Sequence, residues 1–355
     1  MKKATHMNYR SLLETLLKIL DHRVYLDALN QTNNKPYVPV WFLRQAGRYM
    51  PEYRAVRSKF SDFFEMIKQP EVCCELTMQP LNKFPLDAAI TFSDILTVPE
   101  AMGLEIKFIE KRGPVFSKSI IKDGTLNLSI DGVNKKLNYV YQATALIKSN
   151  INIPLIGFAG SPWTIFTYMF YGESPKDFSH IGRYVKNNSD YVHQILEHVT
   201  NASAQYLQSQ IEHGADCVQI FDSWGGILQD NYQEFSLQYI NKIKESLPKN
   251  IPCILYSRGM TLKPYLNETS LKCFNLDSGE RLDDYLDHKI AIQGNIDPKV
   301  FHKSENEIRT LADDIYSKYK SNNNYICNLG SGITPDIDPN KVGLFLNSLR
   351  LLNSE

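Results

Sequence analysis

Eight short apolar runs, spaced so that a helix fits between most of them, constrain this chain more than any other feature. They cover residues 38–43, 88–92, 154–158, 217–221, 252–256, 272–276, 290–293 and 325–329, and intervals such as 191–213 and 305–318 carry apolar residues at helical spacing. Such alternation predicts a parallel sheet, because parallel neighbours need a crossover that a helix supplies. Near-continuous apolar strands are expected where both faces are covered, and eight of them close into a barrel filled by side chains. The expected fold is α/β, a single (β/α)8 TIM barrel over 1–355, a length such barrels commonly reach. An open doubly wound sheet is the alternative, but no Gly-x-Gly-x-x-Gly loop follows the first run as a dinucleotide fold would want.

Two stretches stand outside this rhythm. Leu12, Leu13, Leu16, Leu17 and Leu20 recur at helical spacing with Glu14 and Lys18 between them, which predicts an amphipathic N-terminal helix over about 8–30 rather than a signal peptide. The interval 104–139, after the second run, alternates over 105–110, turns at 111–114, and carries the pairs Asp123-Gly124 and Asp131-Gly132. It reads as a β-ribbon insertion that either walls a cleft or meets a second subunit.

Lys plus Arg and Asp plus Glu number 39 each, so no overall field draws the chain to nucleic acid or to an anionic membrane. No run approaches the ~18 apolar residues of a membrane span, and a cytoplasmic location is expected. The six cysteines show no Cys-x-x-Cys spacing and most fall in or beside apolar runs, which reads as core thiols in a reducing compartment and not as a metal site.

In a barrel the reactive groups lie just beyond the strand ends. Those positions here are polar: Arg44-Gln45-Ala46-Gly47-Arg48 after the first run, Ser93-Asp94 after the second, Ser161-Pro162-Trp163 after the third and Asp222-Ser223-Trp224 after the fourth. Later ends supply Ser257-Arg258-Gly259, Asp277-Ser278-Gly279, Gly294-Asn295 and Gly330-Ser331-Gly332. Two guanidiniums flanking a Gln-Ala-Gly turn suit bidentate contacts to carboxylates, so an acidic substrate is one reading and pairing with carboxylates of the protein is the other. Asp94 is expected on the face of Ile90 and Phe92, pointing inward, as either a functional or a salt-bridged carboxylate.

Several of these segments are recognisable. The run from Pro39 to Tyr53, with Arg44-Gln45-Ala46-Gly47-Arg48 at its centre, closely resembles the N-terminal signature of the uroporphyrinogen decarboxylase family. Phe92-Ser93-Asp94-Ile95-Leu96, Gly160-Ser161-Pro162-Trp163, Phe221-Asp222-Ser223-Trp224 and Gln293-Gly294-Asn295-Ile296-Asp297 add to the resemblance, which spans about residue 36 to the C terminus. It implies a cytoplasmic homodimeric barrel, without metal or other cofactor, that converts the four acetate side chains of uroporphyrinogen III to methyl groups and yields coproporphyrinogen III for haem synthesis. It also implies that Asp94 accepts hydrogen bonds from the central pyrrole N–H groups and stabilises a protonated ring. Arg44, Gln45, Arg48 and the backbone of Ala46 and Gly47 would hold substrate carboxylates.

The same resemblance gives Tyr168 a place beside the reacting acetate and Ser223 a contact with another carboxylate, with Phe221 and Ile90 as apolar walls. A core tyrosine at 168 and a turn serine at 223 are the plainer readings. One departure stands out: where the family usually carries Gly-His-Gly, this chain has Gly330-Ser331-Gly332, so Ser331 offers a hydroxyl in place of an imidazole. Two other readings stay open, a methyltransferase of the same barrel superfamily and a non-catalytic tetrapyrrole-binding protein.

Overall fold

The computed structural model describes residues 23–109 and 112–354. Its strands are β1 (Ala89–Ile90), β2 (Ile106–Ile109), β3 (Gly113–Phe116), β4 (Leu155–Gly160), β5 (Cys217–Asp222), β6 (Cys253–Ser257), β7 (Cys273–Asn275), β8 (Ala291–Ile296) and β9 (Tyr325–Leu329). Seven form one curled sheet in the order β1-β4-β5-β6-β7-β8-β9, every pairing parallel. Helices cross between them where the periodicity predicts, among them Ser189–Glu212 and Glu305–Tyr319, the latter opened by a Ser304–Glu307 capping box. Among the described residues no helix is long and apolar enough to cross a membrane, and all six cysteines are free and buried.

The first apolar run departs from expectation. Instead of a strand, 38–43 is an extended segment with a single bridge, Val40 to Cys327 of β9. Pro39 has no N–H to give a ladder, though its carbonyl accepts from the Cys327 N–H (2.8 Å). The N–H groups that follow go mostly to side chains: Val40 to Asp87 (2.8 Å), Phe42 to Gln45 (3.3 Å) and Leu43 to Asn328 (3.0 Å). The segment still touches both edges of the sheet, because Trp41 N donates to the Cys327 carbonyl and Asp87 N to the Val40 carbonyl.

The excursion after β1 also differs in kind. β2 and β3 pair antiparallel, with Ile106 opposite Phe116, but the remainder carries the short helices Ile120–Asp123 and Val133–Lys136. The two Asp-Gly pairs mark helix ends rather than strand turns: Gly124, at φ 78°, closes the first helix and Gly132, at φ 72°, opens the second. Of the expected N-terminal helix over 8–30, Val24–Leu29 is helical and residues 8–22 lie outside the described residues. Tyr25, Ala28 and Leu29 of this helix join Trp41, Ile156, Cys217, Ile254 and Ile326 in a core beneath the strands.

A buried ion pair anchors the 38–43 segment. Asp87 is met by Arg350 Nη2 and by the Tyr37 hydroxyl on Oδ1 (2.8 Å each) and by Val40 N on Oδ2 (2.8 Å), while the Arg350 guanidinium stacks over the Tyr37 ring. Removing the carboxylate would strand a buried guanidinium. Asp87→Ala is therefore expected to lower unfolding free energy by about 3–5 kcal/mol, read from the midpoint of urea denaturation; a loss below 1 kcal/mol would show that the anchor lies elsewhere.

Candidate active site

At the carboxyl rim of the sheet lies a cavity of about 510 Å³. Its walls include Arg44, Gln45, Ala46, Ile90, Asp94, Tyr168, Phe221, Ser223 and Ser331, which brings together most of the side chains picked from the sequence. Gly47 and Arg48 do not line it, although Arg48 shares with Arg44 and Asp94 an electrostatic contact with Tyr53. Phe108 and Pro114 close one side, so the β2–β3 hairpin walls the cleft.

Arg44 sits at φ 59°, a conformation that costs a side-chain-bearing residue roughly 1–2 kcal/mol. The turn around it is held by Gln45 N to the Phe42 carbonyl (3.0 Å) and Ile333 N to the Leu43 carbonyl (3.2 Å). Gln45 itself is buried, with its carboxamide spread between Phe42 N and the Ala88 carbonyl. That side chain shapes the turn. Gly332 leaves room for the arginine, since a Cβ there would stand 2.5 Å from Arg44 Cδ. The guanidinium makes no hydrogen bond or ion pair among the described residues.

Strand alternation does not carry Asp94 inward as expected, because β1 ends at Ile90 and Thr91 faces the cavity as well as Ile90 and Phe92. A loop delivers it instead. Its Oδ1 accepts Leu96 N (2.8 Å) and its carbonyl accepts the Thr97 hydroxyl (2.9 Å), fixing it ahead of the helix Thr97–Ala101. Burial pushes its pKa up to about 6 against the opposing pull of the Leu96 N–H and Arg44. Arg44 acts on it without forming an ion pair, so the carboxylate keeps unfilled acceptor positions towards the cavity.

Asp222, four strands' worth of chain later, has the opposite fate. It is buried, and its oxygens accept from Ser161 (2.6 Å), Thr164 (3.1 Å) and Ser236 (2.7 Å). Ser161 in turn caps the helix Pro162–Tyr171 by accepting from Thr164 N (3.0 Å), and this helix carries Tyr168 to the cavity. Asp222 thus positions Tyr168, a role that its place beside Ser223 at a strand end could not distinguish from substrate binding. Burial first, then the charge of Asp94, raises the Tyr168 pKa, keeping the phenol protonated as a donor. Phe158, Phe221 and Tyr256 form an aromatic wall, with Phe221 edge-on to Phe158 (centroids 5.5 Å) and Tyr256 (5.9 Å). Tyr256, Phe158 and Arg258 are cavity residues that the sequence reading left unassigned.

The family description "Uroporphyrinogen decarboxylase" matches residues 22–351. Relatives of that name include one from Francisella tularensis subsp. novicida, 41% identical over 341 residues that cover 92% of this chain and 98% of the relative. Another, from Ruthia magnifica, is 42% identical over 329 residues, covering 88% and 94%. The chain belongs to the uroporphyrinogen decarboxylase family. Among solved structures, a methyltransferase from Methanosarcina mazei superposes with a TM-score of 0.72 at 16% identity, covering 92% of this chain and 97% of that one. That likeness speaks to the fold alone. Ser331 lines the cavity, and among the described residues no histidine does.

The raised Asp94 pKa has a consequence for stability. Because the folded value (about 6) lies above the ordinary 3.8, the native state binds an extra proton between the two, and stability falls as pH rises through that window. Asp94→Asn, which keeps an acceptor for Leu96 N, is expected to be more stable than the native protein at pH 8 and equal to it near pH 4. Thermal melts at the two pH values check this; a stability difference that does not change with pH would refute the buried-charge account.

Proposed function

We propose that this chain removes the carboxyl groups of the four acetate side chains of uroporphyrinogen III, leaving methyl groups and giving coproporphyrinogen III for haem synthesis. The observation that carries the reading is the under-coordinated carboxylate of Asp94 facing an aromatic-walled cavity that also holds Arg44. Family membership supplies the substrate; the cavity accounts for the chemistry.

Protonation of the pyrrole carbon beside an acetate makes a cationic ring. The C–COO⁻ bond then breaks, its electron pair flows into that ring, and carbon dioxide leaves. A proton added to the resulting methylene carbon and loss of the ring-carbon proton restore the pyrrole, so each turnover consumes one proton. The pyrrole is its own electron sink, and the reading needs neither metal nor prosthetic group.

The protein's part is to favour the cationic ring over the neutral one. Asp94 receives the central pyrrole N–H groups and its charge opposes that of the ring, an interaction strengthened by the low-dielectric cavity. Arg44 holds a carboxylate through its planar fork; guanidinium gives up its proton too reluctantly to serve well as the acid. Tyr168 donates a hydrogen bond beside the reacting acetate, Ser223 and Ser331 offer hydroxyls to other carboxylates, and Phe221 and Ile90 pack on the pyrrole faces. Arg48 serves a carboxylate outside the cavity wall. In the same reading the 38–43 segment is the eighth stave of a closed (β/α)8 barrel, and the protein is a cytoplasmic homodimer.

Release of carbon dioxide and appearance of coproporphyrinogen, followed anaerobically with uroporphyrinogen III, test the reading directly; an inactive native protein would end it. Asp94→Asn is expected to keep the fold and lose about 10²-fold or more in kcat, and near-normal kcat/KM in that variant would remove Asp94 from the mechanism. Gly332→Ala leaves Arg44 in the sequence but crowds its Cδ. Its KM is expected to rise about tenfold with little change in Tm, and an unaltered KM would show that Arg44 does not need its present rotamer.

A further inference from the structure

The cavity holds a second guanidinium that the mechanism above does not use. Arg258 follows β6 and lines the wall, and its side chain has no hydrogen bond or ion pair among the described residues. Its backbone is fixed on both sides: Arg258 N donates to the Asp222 carbonyl (3.1 Å) and its carbonyl accepts from Gly226 N (3.1 Å). Next to it, Gly259 N donates to Asp277 Oδ2 (2.7 Å), which occupies the nearby carboxylate with a backbone group. Gly226 makes the approach possible, since a Cβ there would lie 2.3 Å from the Gly259 carbonyl oxygen. The loops after β5 and β6 therefore touch backbone to backbone, and Arg258 stands exposed where it lines the cavity.

Topology puts this cation across from Arg44. With the 38–43 segment hydrogen-bonded to β9 on one side and to the approach to β1 on the other, β6 is separated from it by β1, β4 and β5 in one direction and by β7, β8 and β9 in the other. The charge balance points the same way. Arg44, Asp94 and Arg258 are the carboxylate and guanidinium side chains lining the cavity. Arg44 and Asp94 cancel, so Arg258 alone makes the site net positive for a substrate carrying carboxylates on every pyrrole.

Resting on the function proposed above, we propose that Arg258 binds a carboxylate on a pyrrole remote from the reacting one, and so sets the rotational register of the macrocycle. An interaction with an unreacting group is made equally in ground and transition states, so it lowers KM and leaves kcat nearly untouched. Arg44, beside Asp94, meets the reacting side; Arg258 meets the far side.

Steady-state kinetics of the native protein, Arg258→Gln and Arg258→Lys with uroporphyrinogen III test this, with circular dichroism as the check on folding. Arg258→Gln is expected to raise KM on the order of tenfold, the loss of one charge-assisted contact, with kcat changed by less than about twofold. Arg258→Lys is expected to recover part of that loss, keeping the charge but not the fork. An unchanged KM in Arg258→Gln, a fall confined to kcat, or a variant that does not fold would each overturn the assignment. Inactivity of the native protein would instead reject the parent reading, so the two failures are distinguishable.

Discussion

Every strand of the main sheet runs parallel, and that single constraint gathers the chemistry of the molecule at one rim. Residues far apart in sequence, from Arg44 to Ser331, meet there because each follows the carboxyl end of a strand or of the extended segment that stands in for one. The opposite end is given to packing: the helix Val24–Leu29 seals it with Tyr25, Ala28 and Leu29. Between the two, a buried polar network links Gln293 to Gln219 (2.7 Å), Asn275 (3.1 Å) and the Trp41 indole (2.9 Å), so that strand interiors carry amides where an apolar filling was expected. Most of the network's groups bond to one another, although the buried Gln219 Nε2 has no partner among the described residues.

Two aspartates at the same rim show how environment divides structural from chemical work. Asp222 has hydroxyl donors on both oxygens, each a hydrogen bond to a charged group and so worth about 1.5–3 kcal/mol. Its capacity is spent on joining three loops. Burial raises the pKa of both carboxylates, but Asp94 has one backbone N–H and a guanidinium beyond ion-pair distance, and its proton is held to about pH 6. A carboxylate left short of donors in a cavity is costly to the fold and useful to a cationic ligand. Neither fate is visible in the sequence, where both are simply Asp after an apolar run.

Seven of the eight apolar runs became strands because hydrophobic continuity and β-branched residues act locally and are written in the sequence. The eighth did not, since its N–H groups found Asp87, Gln45 and Asn328, side chains that no period-two pattern announces. Asp-Gly likewise signals a turn, but helix ends use the same left-handed glycine, and 120–136 took that option. Among site residues, position after a strand was enough to find Arg44, Asp94, Ser223 and Ser331. It could not separate Arg48, which stays off the cavity wall, from Arg258, which lines it, because both are arginines at strand ends. The difference lies in how the loops after β5 and β6 pack, and Gly226 and Gly259 were the available clue.

The serine at 331 sharpens the electrostatics of the cavity. An imidazole at that position would titrate near neutrality and add positive charge as pH falls, in the same range where Asp94 loses its negative charge. With a hydroxyl there, and with no histidine on the cavity wall among the described residues, Asp94 is the group lining the site whose charge changes between pH 5 and 7. Burial keeps the Tyr168 phenol protonated. Protonating Asp94 therefore leaves two guanidiniums unopposed. Acidification then pulls binding and turnover apart, since an anionic substrate is attracted more strongly to a site that has lost the charge able to stabilise its cationic ring.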